Sequence, residues 1–145
     1  MSWVRVYIHY VFSTKKKIPF LSSQEIRSKV HEHITLNAKE KNIWLDCVNG
    51  YHDHLHCLVS LGRTQTISDV AKLIKGESSF WMNKNELVKG RFSWQDDFWA
   101  VGVSESHVNG VRRYIQGQEE KHRKVSFTEE VNDFMEKYGW EIIKD

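Results

Sequence analysis

Tyr51-His52-Asp53-His54-Leu55-His56-Cys57-Leu58-Val59-Ser60-Leu61 combines an apolar alternation with three histidines. Its alternation marks a β-strand, with Leu55, Cys57, Val59 and Leu61 on one face and His54 and His56 on the other, because successive side chains cross the pleat. Two imidazoles on one face, one residue apart, lie close enough for both to reach a single metal ion. Spacing alone does not make the pair unique, since His52 shares that face if the strand is regular. Histidines in strands also pack or hydrogen-bond without binding a metal.

Working outward, Ile43 to Tyr51 reads as a preceding strand, and Gly50 permits a turn or bulge into the histidine strand. So short a connection makes the two antiparallel neighbours. Further upstream, residues 3–13 alternate, with Val4, Val6, Ile8, Tyr10 and Phe12 on one face and Arg5, Tyr7 and His9 on the other. Lys15-Lys16-Lys17 and Pro19 end that strand, and Ser22-Ser23-Gln24-Glu25 has the form of a capping box. Ile26, Val30, Ile34 and Ala38 then repeat at four-residue steps, which predicts a helix of about 18 residues.

Downstream, Thr66-Ile67-Ser68-Asp69 opens a second helix, whose face is Ile67, Val70, Ala71, Ile74, Ser78 and Trp81. Lys84 to Gly90 is a polar linker, and Phe92-Ser93-Trp94 with Phe98 to Val103 predicts one or two short strands. The order β-α-β-β-α-β is that of the α+β ferredoxin-like split βαβ arrangement, an antiparallel sheet with helices on one face. The other face is expected to be open, with His54 and His56 upon it. A third helix is expected from Ser104 through Val108, Val111 and Ile115 to Lys124, weakened by Gly110 and Gly117. A fourth opens at Ser126, presents Phe127, Val131, Phe134, Met135 and Tyr138, and stops at Gly139.

The length of 145 residues suits one domain spanning 1–145 that buries its own core. A net charge of +2 points to no class of partner by itself. Two cysteines make no disulfide framework, and the N-terminus lacks the basic segment and apolar run of a signal peptide. No apolar run approaches the roughly 20 residues that span a bilayer. A cytoplasmic protein is expected. Cys47 and Cys57 with His54 and His56 have the donor types of a zinc site, but alternation puts Cys57 on the face opposite the two histidines.

A second cluster lies on the third helix, where Tyr114, Gln118 and His122 recur at four-residue spacing and share a side. On spacing alone, Tyr114 is equally a tyrosine snorkelling beside a core helix.

His54-Leu55-His56, Trp94-Gln95 and Val111-x-x-Tyr114-Ile115-x-x-Gln118-Glu119-Glu120-x-His122-Arg123-Lys124 together resemble the single-tyrosine HUH transposases of the IS-two-hundred type of insertion sequence. Val6-x-Ile8-His9-Tyr10-Val11-Phe12-Ser13-Thr14-Lys15 and Ile74-Lys75-x-x-Ser78-Ser79-x-Trp81 are similar to that family too. The motifs run in the family's order over nearly the whole chain. The chain departs from the pattern at Lys121-His122, where many relatives have two histidines, at Asp96-Asp97-Phe98-Trp99, where a glycine-bearing turn is common, and at Gly117.

The resemblance implies that Tyr114 is the nucleophile and that His54, His56 and Gln118 hold Mg²⁺ or Mn²⁺. It implies cleavage and rejoining of single-stranded DNA that bears hairpins at element ends, through a 5′-phosphotyrosine intermediate, by a homodimer in which the tyrosine helix can complete the partner's site. Lys75, Arg112, Arg113, Lys121 and Arg123 are the candidate phosphate contacts. Two other readings of the same sheet stay open: a domesticated protein that grips hairpins without cutting, and a metal-dependent hydrolase that uses water.

Overall fold

The computed structural model describes residues 1–122 and 124–138, apart from the side chains of 134–138. Four strands, β1 (Val6–Ser13), β2 (Trp44–Gly50), β3 (His54–Leu61) and β4 (Trp99–Val103), form one sheet in the order β2-β3-β1-β4. Every neighbouring pair is antiparallel. With helices α1 (Gln24–Glu40) and α2 (Ile67–Lys84), this is the expected split βαβ arrangement. Ser23 caps α1 by accepting from Ile26 N–H, and Thr66 caps α2 by accepting from Asp69 N–H, so polar residues set both helix starts.

The histidine strand is shorter than its alternation suggests. Residues 51–53 form a turn held by Leu21 N–H donating to His52 O (2.9 Å) and Thr14 N–H donating to Asp53 O (2.9 Å). His52 therefore leaves the pleat, and its ring stacks on Tyr51 at 3.9 Å. Gly50 serves the turn by close approach, since a Cβ there would stand 2.2 Å from His54 O. The irregularity in the β2–β3 pairing lies between Leu45 and Cys47. Trp94 makes only an isolated bridge to Thr14.

On one face of the sheet, Ile8, Tyr10, Phe12, Leu55, Cys57 and Val59 meet Val30, Ile34 and Ala38 of α1 and Val70, Ala71 and Ile74 of α2 in a single core. Each large apolar side chain buried there contributes roughly 1.5–3 kcal/mol.

The other face is not open, contrary to expectation. It carries α3 (Val108–Gln116), α4 (Gln118–His122) and α5 (Phe127–Tyr138). Leu58 lies on the histidine face of β3 and is fully buried with Val108 and Ile115, backed by Tyr7, Cys47, Val103, Val111 and Tyr114. The apolar stripe of α3 needs such ground, and this face supplies it. The expected single helix to Lys124 is two helices, because Gly117 leaves the helical path (φ −88°, ψ 12°) with its N–H on Arg113 O at 3.0 Å. The expected stop at Gly139 and the side chains of Phe134, Met135 and Tyr138 lie outside the described residues. No helix among the described residues is long and apolar enough to cross a membrane.

Candidate active site

Strand β3 presents His54 and His56 towards α3, α4 and α5, and neither has any solvent exposure. Gln118, the first residue of α4, is equally buried and places Oε1 3.1 Å from His54 Nε2. Its amide orientation is fixed because Nε2–H donates to Tyr114 O at 3.3 Å. Of the three residues that the resemblance implies as ligands, His54 and Gln118 are in contact, and His56 lies beside His54 with ring centroids 5.2 Å apart.

Two residues not anticipated as donors complete the cluster. His122 of α4 sets Nε2 2.9 Å from Gln118 Oε1 and 2.9 Å from Glu130 Oε2. Glu130, on the first turn of α5, sets Oε1 3.0 Å from His56 Nε2 and 3.8 Å from His54 Nε2. His54, His122 and Glu130 each aim a donor atom at one point, with those atoms within 4.8 Å of one another. Phe127, one turn earlier on α5, stacks on the His54 ring at 4.2 Å and seals it from solvent. Glu130 had a legible signal: it follows Phe127 by three residues and so falls within the apolar stripe.

The second nitrogen of each histidine is held as well. His54 Nδ1 meets Asp53 Oδ1 at 2.9 Å, His122 Nδ1 meets Val125 O at 2.7 Å, and His56 Nδ1 meets His9 Nε2 at 2.8 Å. His9 comes from β1, beside β3 in the sheet. Such outer partners fix ring orientation and tautomer. Burial pushes His9 down to about 3, helped by His56; burial likewise pushes His56 down to about 4, against the hydrogen bond to Glu130. Burial alone would raise the Glu130 carboxyl, but hydrogen bonds to His122 and His56 outweigh it and hold the carboxyl well below its ordinary range.

Tyr114 of α3 stands edge-on to His56, with ring centroids 5.5 Å apart, and near His9 at 6.1 Å. Tyr114 adds to the groups that hold the Glu130 carboxyl down, and Lys121 Nζ lies 5.2 Å from the Tyr114 ring centroid. The tyrosine and the histidines of the same chain thus form one constellation. A cavity of about 650 Å³ between β4, α3 and α5 opens onto Tyr114, His9 and Glu130.

The proposed phosphate contacts are scattered. Lys75 lies on α2, across the sheet, with Nζ donating to Asp96 O at 2.7 Å. Arg112 makes a two-pronged ion pair with Asp46 (2.7 and 2.6 Å) that ties α3 to β2. Arg113 is exposed, Lys121 borders Tyr114, and Arg123 lies outside the described residues. Cys57 is buried under α1 and α2, away from the histidines, and no cysteine joins a metal-ligating group among the described residues.

Residues 2–118 match the family described as Transposase IS200 like. The chain belongs to this family. The same fold recurs in a crystal structure assigned as a transposase from Deinococcus radiodurans R1, with 21% identity, a TM-score of 0.65, and 81% of this chain and 93% of that one covered. It recurs in a REP-associated tyrosine transposase bound to a REP hairpin, with 12% identity, a TM-score of 0.58, and 86% and 71% covered. A search of curated proteins finds no match. DNA transposition is the activity class of this IS200-like transposase family. The family match ends at Gln118, so His122 and Glu130 lie beyond it.

Proposed function

We propose that this chain cleaves and rejoins single-stranded DNA, with Tyr114 as nucleophile beside a divalent ion, Mg²⁺ or Mn²⁺, held by His54, His56 and Gln118. One observation carries the reading: Tyr114 stands edge-on to His56, with ring centroids 5.5 Å apart. The donor set fits a divalent ion, because imidazole nitrogens and an amide oxygen converge without a proton donor of their own besides the ring N–H groups. When bound, the ion acts as a Lewis acid towards a phosphate oxygen.

The chain's own residues supply the rest. Lys121 sets a cation beside the Tyr114 ring, 5.2 Å from its centroid, where the nucleophile needs one. The phenolate oxygen forms a bond to phosphorus, the bond from phosphorus to the 3′-oxygen breaks, and that oxygen takes up a proton. The products are a 5′-phosphotyrosine and a free 3′-hydroxyl. Attack by a 3′-hydroxyl on the phosphotyrosine reverses the step without ATP, because the phosphoester bond is conserved.

Hairpin-bearing single strands are the proposed substrate, supported by the family and by the hairpin held by one structural neighbour. A homodimer is proposed as the working unit, supported by the open edge of β4, which pairs only with β1 among the described residues.

A labelled hairpin-bearing strand incubated with Mn²⁺ tests the reading. A covalent protein–DNA adduct is expected from wild type and none from Tyr114→Phe or with EDTA. Cleavage without an adduct points to hydrolysis by water. Salt-sensitive binding without cleavage, unchanged by EDTA and by Tyr114→Phe, points to a hairpin-gripping protein.

A further inference from the structure

We infer that the ion site is wider than the three ligands proposed above: His122 and Glu130 bind the same ion directly, making a site of three imidazoles, one carboxylate and one amide oxygen. The inference rests on the reading that a divalent ion occupies this cluster, and it changes which ion and how tightly.

The nitrogens that face away from the centre fix the ring tautomers. His54 Nδ1 and His122 Nδ1 each meet a group that can only accept, the Asp53 carboxylate and the Val125 carbonyl. Each Nδ1 therefore carries the ring proton, and in the neutral ring Nε2 has a lone pair. Those lone pairs point at oxygens that are also acceptors: Gln118 Oε1 at 3.1 and 2.9 Å, and Glu130 Oε2 at 2.9 Å from His122. The Gln118 amide cannot turn its NH₂ inward while it donates to Tyr114 O. Electron pairs facing one another at hydrogen-bond distance need positive charge between them, as a proton or as a metal ion. Donor atoms of His54, His122 and Glu130 lie within 4.8 Å of one another, with Gln118 Oε1 in contact with two of them, so one ion satisfies at once what would otherwise take a proton for each facing pair.

Charge points the same way. His54, His56 and Gln118 have no solvent exposure, and as neutral ligands they do not offset the cost of burying a dication. Glu130 is 1% exposed and brings the negative charge from the opposite layer. His122 and Glu130 also hold each other, so they arrive as a unit from α4 and α5.

The chemistry of the donors sets the ion. Three imidazoles favour a first-row transition metal over Mg²⁺, which prefers an all-oxygen shell and sheds water reluctantly. His54, His122 and Glu130, with Gln118, would hold the ion, and any position they leave free would be available to a phosphate oxygen.

The test uses the full chain stripped with EDTA and titrated calorimetrically with Mn²⁺, Co²⁺, Zn²⁺ and Mg²⁺, with proton NMR of the Co²⁺-loaded protein. Mn²⁺, Co²⁺ and Zn²⁺ are expected to bind at least roughly tenfold more tightly than Mg²⁺. Glu130→Gln and His122→Asn are each expected to weaken Co²⁺ by roughly 10–100-fold or more. Three hyperfine-shifted ring N–H signals are expected in wild type, one each from His54, His56 and His122. Wild-type affinity in both variants, with loss in His54→Asn and only two shifted signals, overturns the wider site and leaves the three-ligand site standing. Absence of binding in wild type overturns both. Should either variant fail to fold, the count of shifted signals in wild type decides. Adduct formation by Tyr114 plays no part in these readouts, so failure of the strand-transfer reading is seen separately.

Discussion

His9 shows how one residue links the sheet to the site. It lies one strand away from His56 and hydrogen-bonds its Nδ1 at 2.8 Å, so β1 fixes the orientation of a ligand on β3. Replacing it with Ala leaves a buried acceptor or donor unsatisfied, a cost of about 1–3 kcal/mol. His9→Ala is therefore expected to lower the urea midpoint, and to weaken metal binding by roughly 10–100-fold when titrated calorimetrically. Unchanged metal affinity would leave His9 a packing residue only. On α1, away from the site, His31 has a buried Nε2 with no hydrogen-bond partner among the described residues. Burial, with Arg27 nearby, lowers its pKa from the ordinary 6.5 to about 4. Between those values the unfolded chain binds a proton that the folded chain refuses, so stability rises with pH across that window. The contribution is fully present above pH 6.5 and is lost as pH falls towards 4. His31→Gln is expected to flatten the part of the stability profile, measured by urea unfolding, that lies in this window.

Elements differ in how far the sequence declares them. The alternation of β1 and β3 and the four-residue steps of α1 placed the sheet and its first helical layer correctly, because periodicity reports which side of an element is buried. Periodicity does not report what a second layer does with the remaining face. Val108, Val111 and Ile115 announced an apolar side for α3, yet its ground, Leu58 with Cys47 and Tyr7, is spread over three strands whose register appears only in the fold. For the same reason Tyr114, Gln118 and His122 were legible as one helical side, while the meeting of His122 with Glu130 over β3 was not. Their place depends on the chain turning after His122 so that α5 packs back over His54. Gly50 was legible as a turn residue, and its contact makes it a sharp test. A Cβ 2.2 Å from His54 O forces the end of the β2–β3 pairing apart. Gly50→Ala is expected to cost about 1–3 kcal/mol, read as a lower melting temperature. Because the displaced carbonyl belongs to His54, faster amide exchange at residues 54–56 should accompany the loss. Arg112→Ala releases α3 from Asp46, and increased exchange across residues 108–116 with β1 and β3 unchanged is the expected signature.

At the scale of the whole molecule, one sheet carries a conventional core beneath and a polar cluster above. The lower layer is joined by large apolar side chains from α1, α2 and three strands. The upper layer has the small apolar group around Leu58, together with the cluster of His54, His56, Gln118, His122 and Glu130. An ion there would connect β3 to α4 and α5, so its binding energy would be felt as stability of the upper layer. A ligand that binds only the folded chain stabilises by about 2.7 kcal/mol at a hundredfold excess over Kd. For a chain of this length that corresponds to a rise of roughly ten degrees in melting temperature. Mn²⁺ is therefore expected to raise the melting temperature of the stripped protein, EDTA to reverse the rise, and amide exchange at residues 118–122 and 127–133 to slow with the metal present. Tyr114→Phe should retain the whole shift, since its hydroxyl is not among the donors, whereas Glu130→Gln should lose most of it. A shift that survives Glu130→Gln in full would mean that α5 covers the ion without holding it, and the upper layer would then owe its attachment to Leu58, Val108, Ile115 and Phe127 alone.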